Sequence, residues 1–190
     1  WMLVVPGAAM LLAVYAAWLK RTAVWGNVTV ALLAALVPAL VGLSESELLL
    51  TDSDRTAASA EHAVMVLGFY VVFAFLSTLF REIVKDLEDQ DGDREAGART
   101  LPVSAGPETA RMAALGVLGG LAAVVAVFLT RQDVVEQPAA VVFGLVAILG
   151  PIPLLGLLLW RATDPSGYHR VSGLTKLLMA SGLLWLVLIG

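Results

Sequence analysis

The 190 residues contain no cysteine, which excludes disulfide scaffolds, thiol catalysis, cysteine-held zinc and iron–sulfur clusters. Charge is also scarce: Asp, Glu, Lys and Arg make up only 15% of the chain, against about 25% in soluble domains. The net charge of −4 gives no basic surface for nucleic acid, and no nucleic-acid partner is expected. His62 and His169 are the two histidines. They stand alone near the ends of apolar stretches and read as interfacial residues, not as bases or metal ligands. What the chain has in abundance is hydrocarbon: 59% of residues are apolar and the mean hydropathy is +0.86. Such a composition belongs to an integral membrane protein.

Long stretches free of charge run over 2–19, 22–44, 63–80, 112–130 and 137–160, and a sixth over 171–190 holds only Lys176. About 20 apolar residues cross the hydrocarbon core as a helix, and a lysine near a span end can snorkel to the interface. No short alternating segments of a membrane barrel are present. The expected fold is therefore an all-α polytopic membrane protein, a bundle with six transmembrane helices in this chain. Pro38, Pro151 and Pro153 fall inside spans and are expected to mark kinks.

Ten of the twelve Lys and Arg residues lie in or beside the first, third and fifth connections, leaving only Arg55 and Arg131 for the second and fourth. That bias puts the odd connections in the cytoplasm and the start of the first span outside. Residue 1 is Trp and the apolar run begins at once, with no basic stretch or small-residue cleavage site before it. The expectation is a chain whose N-terminal part, holding an odd number of spans, is missing. The second connection, 44–60, carries Glu45, Glu47, Asp52 and Asp54 and reads as a solvated acidic loop on the outside.

Chemistry is concentrated in the third connection, residues 81–103, expected as an Asp-rich cytoplasmic loop. Of sixteen acidic residues, Glu82, Asp86, Glu88, Asp89, Asp91, Asp93 and Glu95 fall here. Lys85, Asp89 and Asp93 stand at i, i+4, i+8, so a helix continuing from the third span stacks them on one face, with Glu82 and Asp86 as a second stripe. Gly92 and Gly97 are expected to loosen the end of that helix, and Pro102 to stop regular structure. Carboxylates crowded on one face repel unless a cation sits among them. An oxygen-rich site of this kind suits Mg²⁺, which takes one or two protein carboxylates together with phosphate oxygens and water. Lys85, Arg94 and Arg99 supply fixed positive charge for phosphate oxygens, and Lys20 and Arg21 lie on the same membrane side. A diphosphate bridged by Mg²⁺ fits this mixture. Two other patterns fail on spacing. An EF-hand with its glycine at Gly92 would need a ligand where Leu87 stands and an acid where Ala98 stands. The CDP-alcohol phosphotransferase motif would need Ala and Arg where Glu95 follows Arg94.

Lys85-x3-Asp89-x3-Asp93, followed by Gly97-x2-Thr100-Leu101-Pro102-Val103, resembles the second aspartate-rich motif of UbiA-type intramembrane prenyltransferases. The fuller pattern Arg81-Glu82-x2-Lys85-Asp86-x-Glu88-Asp89-x2-Gly92-Asp93 is most similar, within that superfamily, to geranylgeranylglyceryl phosphate synthase-like members. Tyr15-x4-Lys20-Arg21 with Gly26-Asn27 resembles the end of the family's fourth helix and the start of its fifth. Lys176-Leu177-Leu178-Met179 resembles the ninth. The resemblance implies a single transmembrane prenyltransferase domain over 1–190, holding helices four to nine of nine. The family's first aspartate-rich motif, of the Asn-Asp-x2-Asp-x3-Asp kind, does not occur in this sequence, and Arg81 stands where many members place Tyr.

The resemblance further implies Mg²⁺-dependent transfer of a prenyl group from a prenyl diphosphate to a lipid or aromatic acceptor within the bilayer, with the active site facing the cytoplasm. Lys85, Asp89 and Asp93 become the catalytic set. Asp86, Asp89 and Asp93 become the metal ligands, and Lys20, Arg21, Lys85, Arg94 and Arg99 the diphosphate contacts. Phe69, Tyr70 and Phe73, toward the membrane from the motif, are expected to line the prenyl pocket and to face the carbocation through their rings. The best acceptor is of the glycerol-phosphate type, with a quinone precursor as a further possibility. The rival reading is a membrane cation transporter or metal-sensing module that uses the acidic loop. A transporter would place ionisable residues near mid-span, and the five charge-free stretches hold none.

Overall fold

The computed structural model describes residues 24–51, 57–132 and 137–189, and every regular element among them is helical. In chain order these are α1 (Trp25–Thr51), α2 (Ala57–Glu95), α3 (Leu101–Ala105), α4 (Pro107–Leu129), α5 (Pro138–Phe143), a π-helical turn (Gly144–Leu149), α6 (Pro151–Arg161) and α7 (Pro165–Ile189). Five helical stretches are long and apolar enough to cross a membrane: α1, α2, α4, the run from α5 to α6, and α7. The protein is an all-α integral membrane protein. The expected span at 2–19, with Lys20 and Arg21, lies outside the described residues.

Helices overrun the expected boundaries. α1 continues to Thr51 and α2 starts at Ala57, so the loop expected over 44–60 is largely helical backbone. At 81–95 the helix expected to continue from the third span is present. α2 passes without a break from its apolar stretch into the charged one and ends only at Glu95. At about 1.5 Å per residue, 39 residues span about 58 Å, roughly twice the hydrocarbon core. The last 15 residues thus project beyond the membrane as about four turns of helix. They stay helical because Phe80, Ile83, Val84 and Leu87 form a buried inner stripe while the acids take the outer one.

Gly97, not Pro102, ends α2. It adopts φ +70°, and its N–H donates to Arg94 O (3.2 Å) while that of Ala98 donates to Asp93 O (2.8 Å). This is a Schellman closure, which needs the left-handed conformation that glycine takes without steric cost. Pro102 stands in the first turn of α3, where its missing N–H leaves no bond unmade.

Of the prolines expected to kink spans, Pro38 lies within a continuous α1. Pro151 and Pro153 cannot donate to the carbonyls of residues 147 and 149. Just before them the helix widens into the π turn, with Gly150 N–H donating to Leu145 O at 2.8 Å. α7 docks beside this turn. The Trp185 ring fills the space that a side chain at Gly144 would occupy, and its Nε1 donates to Ala140 O at 2.7 Å. Phe69 stacks on Phe128 at 4.0 Å and meets Trp185 edge-on at 5.5 Å, which joins α2, α4 and α7 in one aromatic cluster.

Helices in lipid gain little from hydrophobic segregation and are held by close packing and interhelical hydrogen bonds. The α2–α7 contact shows both. Tyr70 Oη donates to Gly182 O at 2.8 Å, and a Cβ on Gly182 would stand 2.5 Å from the Phe73 ring. Gly182→Val should therefore cost about 1–3 kcal/mol through overpacking and lower the melting temperature in detergent. Gly173→Ala, whose Cβ meets nothing within 4 Å, should leave it unchanged or slightly raised. Equal melting temperatures for the two variants would refute the contact.

Candidate functional site

The extramembrane turns of α2 carry the acidic face as a rigid rod. Lys85 Nζ donates to Asp89 Oδ1 at 3.0 Å and lies 3.2 Å from Glu88 Oε1. Burial alone would lower the Lys85 ammonium, but its bonds to Asp89 and Glu88 outweigh that and hold its pKa above the usual value. Asp86 also meets α1, where Asn27 Nδ2 donates to its Oδ2 at 2.7 Å. Burial pushes the Asp86 carboxyl up to about 7, against the Asn27 bond, and the neighbouring charges of Asp93, Glu82 and Asp89 push the same way. The register expected from the sequence is thus realised, with Asp86, Asp89 and Asp93 close enough to feel one another.

A depression of about 370 Å³ lies against this face, lined by Glu88, Asp89, Asp91, Gly92 and Asp93 of α2 and by Pro165 at the start of α7. Among the described residues no three His, Asp or Glu side chains converge closely enough to enclose a metal ion. The face instead offers carboxylates one or two at a time. That is the donor set Mg²⁺ accepts when substrate phosphate oxygens and water complete its shell.

The other expected site residues are placed less centrally. Arg94 is exposed and 3.6 Å from Asp91, and Arg99 is exposed in the segment after Gly97. Phe69, Tyr70 and Phe73 are buried but not beside the acidic face. Along the helix axis Phe73 lies about 18 Å and Phe69 about 24 Å from Lys85, beyond the roughly 6 Å at which a ring stabilises a cation. Tyr70 and Phe73 are engaged by α7. Phe69 lines a cavity of about 810 Å³ between α2 and α4 whose walls include Met65, Val72, Val124 and Val127.

Three residues enter the site without having been read as part of it. Asn27 was legible only as the start of a helix. Glu88 was one acid among seven. His169, expected at the interface, has its Nδ1 2.9 Å from Glu88 Oε1. None carried a local signal, because each acts through a partner on another helix, 59 and 81 residues away for Asn27 and His169.

Residues 1–167 match the UbiA prenyltransferase family. A digeranylgeranylglyceryl phosphate synthase of Methanothermobacter thermautotrophicus is 32% identical over 94% of this chain and 57% of its own length. One of Korarchaeum cryptofilum is 30% identical over 92% of the chain and 56% of its length. A third, of Pyrococcus horikoshii, reaches 40% over 53% of the chain and 30% of its length. The chain thus spans a little over half the length of the first two relatives. No solved structure matches it.

Asp86 carries a testable consequence. With its pKa raised from 3.8 to about 7, the folded protein binds that proton more tightly than the unfolded chain does. The resulting stabilisation is full below about pH 4 and is lost as pH rises through about 7. In chelator-treated protein, melting temperature should therefore fall between about pH 4 and 7 more steeply for wild type than for Asp86→Asn, which cannot ionise. Identical slopes would show that Asp86 is not held in this half-desolvated, acidic setting.

Proposed function

This chain belongs to the UbiA prenyltransferase family, and from that premise we propose that it forms the larger part of a Mg²⁺-dependent prenyltransferase acting on a glycerol-phosphate-type lipid. The relatives' name, digeranylgeranylglyceryl phosphate synthase, supports that acceptor class. The observation that carries the site is the Lys85–Asp89 pair beside Asp86 and Asp93, presented on helix beyond the membrane span. The basic bias of the odd connections supports a cytoplasmic orientation.

Asp89 and Asp93 are the residues that would hold Mg²⁺, with Asp86 beside them. When bound, the ion supplies positive charge to the oxygens of the departing diphosphate. Lys85 adds a fixed ammonium to the same oxygens and orients the diphosphate end of the substrate. The allylic C–O bond breaks and its electron pair leaves with diphosphate. A hydroxyl oxygen of the acceptor then bonds to the allylic carbon, and its proton passes to the departed diphosphate. Arg94 and Arg99, and Lys20 and Arg21 in the preceding segment, are further diphosphate contacts in this reading. The prenyl chain runs from the acidic face into the bundle, and the cavity lined by Phe69 suits its far end, with the Tyr70 and Phe73 rings packed against Phe69.

Asp89→Asn or Asp93→Asn in the complete protein should lower prenyl transfer at least about a hundredfold, the scale on which removing a preorganised electrostatic group acts. Membrane insertion and melting temperature should be retained. Turnover within a few-fold of wild type in either variant would sink the site assignment.

A further inference from the structure

Among the acids of the α2 extension, Glu88 stands apart. Its side chain is only 13% exposed, against 50% for Asp89 and 77% for Asp91. Its Oε1 faces two donors, Lys85 Nζ at 3.2 Å on its own helix and His169 Nδ1 at 2.9 Å on α7. Its Oε2 is buried with no partner among the described residues. An ionised carboxylate only accepts, so His169 Nδ1 carries the hydrogen.

The α7 end of this contact is held independently. Asp164 Oδ1 accepts from Gly167 N at 2.6 Å and from Ser166 Oγ at 3.1 Å, capping the first turn. Arg111, on α4, donates to Ala162 O at 2.8 Å and to the hydroxyl of buried Tyr168 at 2.9 Å. His169 therefore reaches Glu88 from a fixed turn, although it is itself 72% exposed. Pro165 of the same turn forms the wall of the depression opposite Asp89 and Asp93.

Lys85 is shared between Asp89 and Glu88. Once Asp89 is engaged elsewhere, Glu88 is the acceptor left to hold the ammonium at the depression. We propose that Glu88, braced by His169, is the positioning residue that sets Lys85 for a substrate diphosphate and ties the acidic face of α2 to α7. The inference rests on the prenyltransferase reading. Glu88 acts through Lys85 and touches no reacting atom.

The test uses the complete protein in detergent with Mg²⁺, reading inorganic pyrophosphate affinity without turnover alongside steady-state kinetics. Glu88→Gln should weaken pyrophosphate binding about tenfold, as expected for loss of a charge-assisted bond, and should raise KM for prenyl diphosphate more than it lowers kcat. His169→Ala, at an exposed position, should give a smaller loss of the same kind. In a Lys85→Ala background, Glu88→Gln should add almost nothing, because residues acting in one chain are not additive. Unchanged pyrophosphate affinity in both single variants, or full additivity in the Lys85→Ala background, would overturn the proposal while leaving the functional reading intact. Wild-type protein that neither binds pyrophosphate nor transfers a prenyl group would overturn the functional reading, and this inference with it.

Discussion

Because lipid offers no partner to a bare backbone group, a chain crossing the bilayer stays helical until it has left the hydrocarbon. In α2 the helix does not stop there. It runs for 39 residues, so the same 3.6-residue periodicity that buries Phe80, Val84 and Leu87 also fixes where Lys85, Asp86, Asp89 and Asp93 point. Membrane anchor and acidic face are one rigid body. A flexible loop with the same composition would lose conformational entropy each time its charges were gathered, whereas this helix presents them already gathered. The Gly97 closure sets the length of the rod and frees the chain to turn back through α3 into α4.

The remaining helices brace that rod at two levels. Within the membrane, Gly182 lets Phe73 and Tyr70 approach the α7 backbone, and Gly144 opens a socket for Trp185 beside a turn already widened by Pro151 and Pro153. Small residues and buried hydrogen bonds do here what apolar burial does in water. Beyond the membrane, polar bonds take over: Asn27 holds Asp86 from α1, and His169 meets Glu88 from α7. The acidic face is thus tethered from both sides by helices that are themselves packed against α2 in the bilayer.

Spans and the acidic register were legible in the sequence because both are local patterns. A charge-free run of about 20 residues and an i, i+4, i+8 spacing need no tertiary information. The boundaries were less legible, since amphipathic turns beyond an apolar span look like loop when only hydropathy is counted. Residues 44–51 are the example: the sequence from Ser44 to Glu47 reads as the start of a loop, and α1 continues through it to Thr51. The partners of Asn27 and His169, and the π turn, were not legible. Each depends on what stands opposite in space, and neither a lone amide, a lone histidine nor a proline pair specifies that. For Phe69, Tyr70 and Phe73, closeness in sequence to the motif becomes an axial distance once the intervening segment is helix.

Charge balance gives the site its character. The fifteen residues from Arg81 to Glu95 carry Glu82, Asp86, Glu88, Asp89, Asp91, Asp93 and Glu95 against Arg81, Lys85 and Arg94. A surface with seven acids and three bases repels a diphosphate, and Lys85 is held by two of those acids. Burial and its neighbours already push Asp86 toward protonation, the response of carboxylates crowded without enough positive charge. A divalent cation would act on both counts: it would relieve the crowding, and it would give an anion a local positive charge to approach. In the proposed function cation and anion would bind together, each making the site tolerable for the other. A face built for metal alone would have no use for an ammonium held between Asp89 and Glu88, and a face built for phosphate alone would not be acidic.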